Sequence, residues 1–140
     1  MHSKIKGNIG QFYVAAKLAQ MGFCVFTEEG DLSKVDIIAE KDGKLLRFQV
    51  KAATPKNGTL SLYLPKSAHG YKFRYDKSWL DYFALVDLSS GEVYFIESKV
   101  LDNRLTQFSI RLEETKNKQE AGTNRACNFK AEVVFKDYLD

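Results

Sequence analysis

Three polar residues stand inside two apolar runs. VDIIAE (35–40) carries Asp36, and KLLRFQVKA (44–52) carries Gln49 and Lys51. A carboxylate and a side-chain amide oxygen are hard donors suited to Mg2+, which keeps several waters and takes its other ligands from protein and phosphate. A lysine beside such a cation can orient a water or offset negative charge in a phosphodiester transition state. Together these residue types suit metal-assisted phosphodiester hydrolysis, which needs a Lewis acid, a positioned nucleophile and charge stabilisation. Burying an unpaired Asp or Lys is costly, so such groups persist in apolar strands mainly when paired, metal-bound or functional.

Whether the three meet depends on the turn between them. Asp42-Gly43 is the strongest short hairpin signal. A two-residue turn there pairs Lys41 with Lys44, Ala39 with Leu46 and Ile37 with Phe48. It sets Asp36 opposite Gln49, with Cβ atoms ~5 Å apart. Lys51, two residues on, projects from the same face as Gln49. A slip of one residue would break the arrangement. On a hairpin with one bare face, an Asp opposite a Gln would be an ordinary solvated pattern. Here Ile37, Ile38, Leu45, Leu46, Phe48 and Val50 imply strands covered on much of both faces.

The remaining elements follow from periodicity and turn residues. Residues 5–21 predict a helix with Ile5, Ile9, Phe12, Ala16 and Ala19 facing a core. Gly7 and Gly10 suggest a frayed or closely packed first turn, and Gly22 a stop. Residues 23–27, 59–64, 82–88, 92–98 and 107–113 read as strands, EEGDLSK (28–34) as a loop, and FKAEVVFKDYL (129–139) as either strand or helix. One helix followed by a run of strands implies an α+β fold with a central sheet.

The chain has 140 residues, 44% of them hydrophobic, and a formal net charge of +3. That suits one domain over residues 1–140, and a charge this small does not choose a partner class. No apolar run is long enough to span a membrane, and the first residues carry no signal-peptide pattern. Cys24 and Cys127 are expected as buried free thiols in a reducing compartment. With only His2 and His69 beside them, they offer no zinc spacing.

Asp36, twelve intervening residues and then Gln49-x-Lys51 resembles the PD-(D/E)XK nuclease signature, with Gln in place of the second acidic residue. The context carries the resemblance further: KGNIGQF on the first helix, GFCVFT, VDIIAE, LLRFQVK, LDYFALVDLSSGEVYFIES, IRLEETKNKQ and KDYL. Among these nucleases the chain looks most like an intron-encoded homing endonuclease. The resemblance implies a restriction-endonuclease-like mixed sheet with flanking helices and a Mg2+-dependent double-strand DNA endonuclease. It implies metal-site roles for Asp36 and Gln49, and Lys51 as the catalytic lysine. It also implies a site residue at Gln11, where relatives usually carry a glutamate after a glycine. Gln11 shares a helical stripe with Gly7, Val14, Ala15 and Leu18, which puts it at the edge of an apolar face. Gln keeps the shape of Glu and removes its charge, so a catalytically impaired chain is expected. The implied setting is the prokaryotic cytoplasm, at the nucleoid while acting.

Local charge supports a nucleic-acid partner, which the resemblance makes double-stranded DNA. KSAHGYKFRYDKSW (66–79) interleaves Lys72, Arg74 and Lys77 with aromatic residues, and its alternation could form a basic β-ribbon. KNKQEAGTNRACNFK (116–130) adds Lys116, Lys118 and Arg125. Either segment alone would be an ordinary solvated surface. Two breaks in a duplex need two sites, so a homodimer is the minimum, and a long target would suit a tetramer. Two other functions remain open: a structure-selective nuclease such as a Holliday-junction resolvase, and a non-catalytic DNA-binding protein, favoured by the neutral Gln11 and Gln49.

Overall fold

A computed structural model describes residues 1–30, 32–64, 79–101, 107–113 and 123–139. Helix α1 (Ser3–Gln20) comes first. The His2 side chain accepts the Lys4 amide at 3.2 Å and caps its start. At its end Phe23 N–H donates to the Leu18 carbonyl and Gly22 N–H to the Ala19 carbonyl. This is a Schellman motif, made possible by Gly22 at φ +88°.

The expected core stripe of α1 is corrected. Phe12 is 74% exposed and Ile5 51%, and Ala16 and Ala19 are also exposed. The buried positions are Gly10, Val14 and Leu18. Gly10 supplies the reason. A Cβ there would stand 3.2 Å from the Ala52 Cβ and 3.3 Å from Val50 Cγ1. The bare backbone lets the helix settle on the strand below, and that close approach fixes its rotation.

The strands are β1 (Cys24–Thr27), β2 (Ile37–Lys41), β3 (Lys44–Ala53), β4 (Thr59–Tyr63), β5 (Tyr82–Asp87), β6 (Val93–Glu97) and β7 (Gln107–Arg111). Five form one mixed sheet in the order β1-β2-β3-β5-β6, and β4 and β7 form a second, two-stranded sheet. The β3–β5 pair is parallel; the other pairs are antiparallel. The β2–β3 hairpin has the expected register, from Lys41↔Lys44 to Ile37↔Phe48. Asp42 and Gly43 both have positive φ, 53° and 83°, as a type I′ turn demands.

Alternate residues of β5 enter different cores, because side chains alternate across a strand. Ala84 and Val86 join Val14, Leu18, Ile37 and Phe48 on the α1 side. Phe83 and Leu85 join Leu60, Leu62 and Ile110 from the second sheet on the other. The main sheet is therefore covered on both faces. The ambiguous closing segment forms a short helix, α2 (Ala131–Val134), between 3-10 turns. It brings Phe135 into edge contact with Phe23, Phe48, Tyr82 and Phe95. Cys24 and Cys127 are free but exposed, not buried as expected; β1 is an edge strand and turns Cys24 outward. No described helix is long and apolar enough to cross a membrane.

Candidate active site

The site lies where two strands of the main sheet part. β3 runs on to Ala53, whereas β2 begins only at Ile37, opposite Phe48. Past that point the β2 side of β3 has no strand to accept its amides, and a buried N–H must find another partner. Asp36 provides it. Its Oδ2 accepts the Val50 N–H at 2.8 Å. Its own N–H donates to the Phe48 carbonyl, also at 2.8 Å. Two residues, Asp36 and Ile37, thus face Phe48, the pattern of a β-bulge, a device that re-aims a side chain. Asp36 lies one step past the last assigned pair, Ile37↔Phe48, next to Gln49. These bonds from Asp36 fall on the residues either side of Gln49.

Gln49 and Lys51 alternate with Phe48 and Val50 along β3. Phe48 and Val50 pack with the α1 core, so Gln49 and Lys51 belong to the opposite face. Both are half-buried. Burial pushes the Lys51 ammonium below its usual range of 10.5; the Asp36 carboxylate opposes that shift and Lys34 adds to it. Asp36 and Lys51 therefore feel one another's charge, and Lys34 is a second cation within electrostatic reach.

Gln11 reaches Asp36 from α1. A cavity of about 390 Å³ is lined by Lys4, Gly7, Asn8, Gln11, Glu28, Gly30 and Asp36. Gln11 and Asp36 thus share a pocket, while Gln49 and Lys51 are not among the residues lining it. Lys4, Asn8 and Gln11 come one helical turn apart, a spacing visible in the sequence. Glu28, Lys34, Lys4 and Asn8 were missed by sequence reasoning. The signal for Glu28 was an acid in the EEGDLSK loop, whose position depends on how β1 pairs.

The pocket's oxygen donors fit a hard divalent cation: carboxylate oxygens from Asp36 and Glu28 and the amide oxygen of Gln11, with Gln49 beside Asp36 but outside the lining. Among the described residues no three His, Cys, Asp or Glu gather into one metal-binding group. A cation here would keep waters or take phosphate oxygens, as Mg2+ does.

Of the proposed DNA contacts, Lys72, Arg74, Lys77, Lys116 and Lys118 lie outside the described residues, as does the basic ribbon expected around Lys72 and Arg74. Arg125 is half-buried and bridges to Arg111 of β7, and it does not line the Asp36 pocket. Tyr82 and Phe83 are core residues, as expected: Phe83 is 1% exposed, and Tyr82 stacks on Phe48 at 5.6 Å.

Comparison with known proteins bears on the fold and the family. The bacterial homing endonuclease I-Ssp6803I has a similar fold, with a TM-score of 0.71 at 18% identity over 99% of this chain and 91% of that one. The Holliday junction resolvase Hjc of the archaeal hyperthermophile Archaeoglobus fulgidus is also similar, with a TM-score of 0.52 at 22% identity over 76% of this chain and 84% of that one. At these identities the likeness is one of fold. Among curated proteins no sequence matches the chain. The profile of the PD-(D/E)XK endonuclease family matches residues 1–132. That match runs nearly from end to end, and the chain belongs to the PD-(D/E)XK endonuclease family.

Proposed function

We propose that the chain is a sequence-specific, Mg2+-dependent endonuclease of the homing type that cuts both strands of DNA. The observation that carries this reading is the Asp36 carboxylate, bonded to β3 and coupled to Lys51, at the rim of a pocket shared with Gln11. Asp36 and Gln49 would hold the Mg2+, with Gln11 beside Asp36 in the pocket. When bound, the cation supplies Lewis-acid polarisation of a phosphate oxygen and a readily deprotonated water. Lys51 then orients the attacking water or donates to the oxygen on which charge develops. Its half-buried setting strengthens either interaction, because charge is poorly screened there. The Val50 amide fixes the Asp36 carboxylate, so the group needs little reordering when phosphate arrives.

One site cuts one strand, so the working unit is at least a homodimer, and a long target suits a tetramer. The setting is the cytoplasm of a prokaryote. The basic segments 66–79 and 116–130 bind phosphates and base edges. Binding should therefore weaken steeply with salt, and Lys72→Ala should lower the log–log slope by roughly 1.

The fold shared with Hjc supports a second reading, a structure-selective nuclease. Cleavage of a duplex carrying the candidate intron-insertion sequence, compared with a four-way junction, separates the two. Gln11→Glu returns a carboxylate to the pocket and should raise turnover in Mg2+. In that background Lys51→Ala should lower cleavage by at least about 100-fold with DNA affinity largely kept. Inert Gln11→Glu protein on its proper duplex, or normal cutting by the double variant, would reject these roles and favour a non-catalytic DNA-binding protein.

A further inference from the structure

Glu28 stands at an unusual position for a surface loop residue. The β1–β2 register ends at Thr27↔Ile37, and Glu28 and Asp36 are the residues that follow and precede that last pair. The pair also shares its surroundings. Glu28 and Asp36 both line the cavity of about 390 Å³ that holds Gln11, and both line the neighbouring one of about 220 Å³.

Each carboxylate is held in place by backbone. Glu28 Oε1 accepts the Leu32 and Ser33 amides at 2.9 and 3.0 Å, the Ser33 amide also reaches Oε2 at 3.2 Å, and Asp36 Oδ2 accepts the Val50 amide. An ionised carboxylate has about four acceptor positions, so these bonds leave lone pairs on both groups. Two oriented carboxylates at one pocket are what a hard divalent cation would stabilise, since its charge turns their repulsion into attraction.

We propose that Glu28 supplies the second carboxylate of the metal pocket, carrying the charge that Gln11 lacks. This rests on the reading of the pocket as a cation site. It makes Gln11 a neutral ligand beside a displaced acid, and it lets the chain bind metal with only one acidic residue in its Asp36, Gln49 and Lys51 signature. The competing reading is that Glu28 only staples the 28–33 loop through the Leu32 and Ser33 amides.

The test is calorimetric titration of the intact protein with Mn2+, without DNA, alongside thermal unfolding in EDTA. Glu28→Gln keeps an oxygen for the loop amides and removes the charge. It should weaken Mn2+ binding about 10-fold while the Tm in EDTA holds, because the amide oxygen can still accept the Leu32 and Ser33 amides. Adding Gln11→Glu should recover the affinity, which a loop staple would not do. If Glu28→Gln binds Mn2+ like the unaltered chain while Asp36→Asn loses it, the pocket stands and the role of Glu28 is overturned. If Asp36→Asn also binds Mn2+ unchanged, the pocket itself is not the cation site and both readings fall.

Discussion

Lys51 occupies a place that penalises its charge. Its pKa in the folded chain lies below 10.5, chiefly because burial strips water from the ammonium. Between the folded and unfolded pKa values the unfolded chain holds more protons, so stability rises with pH across that window. Below it the penalty is present in full. Lys51→Met keeps the length and removes the charge. It should stabilise the fold at pH 7 by no more than about 1 kcal/mol, because water still screens a half-buried group. The gain should shrink as the pH approaches 10.5. Urea unfolding of both proteins at pH 7 and near pH 10 checks this. A methionine variant less stable at pH 7 would mean that Asp36 more than offsets the cost of burial. The same substitution should abolish cleavage, so this residue trades stability for chemistry.

At the scale of elements, the fit of α1 on β3 depends on Gly10. Gly10→Leu would drive a side chain into Ala52 and Val50, already 3.2 and 3.3 Å from where a Cβ would sit. Overpacking of this kind costs about 1–3 kcal/mol, and the displaced helix would carry Gln11 away from Asp36. We expect a lower midpoint in urea and, with it, weaker Mn2+ binding; an unchanged midpoint would show that the helix does not rest on this contact. The same glycine marks what was legible in the sequence. The β2–β3 hairpin could be read residue by residue, because turn chemistry fixes a local register. The site half built on it, Asp36 with Gln49 and Lys51, came with that register apart from the bulge. The rotation of α1 could not be read, because it is set by a contact with residues some forty positions further along the chain. The outward stripe of Ile5 and Phe12 looked like a core by spacing alone. Glu28 escaped for the same reason, since its place depends on how β1 pairs with β2. Alternation identified β4 and β7 as strands but could not say that they pair with each other and leave the main sheet. Four residues of α2 are too few to establish a helical period.

At the scale of the molecule, the parts of the sheet differ in how much chain must be closed to make them. The β2–β3 hairpin closes across two residues. The parallel β3–β5 pair closes across far more: Asp81 N–H donates to the Arg47 carbonyl, and Asp81 Oδ2 accepts the Arg47 amide from 34 positions away. Closing long loops loses entropy before contacts reward it, so non-local strand pairs form late. In pulse-labelled hydrogen exchange during refolding, the Ala39 and Leu46 amides should gain protection before those of Ala84 and Val86. Simultaneous protection would show that the sheet forms as one unit. The parting of β2 from β3 then acquires a meaning in time. Asp36 and Lys51 are brought together by the earliest and most local event, while Gln11 arrives only when α1 docks on a finished β3. The polypeptide would hold half of the proposed site before it has a globular core, and complete the other half last. A partly folded chain would therefore carry the lysine and the aspartate without the pocket that could put them to use.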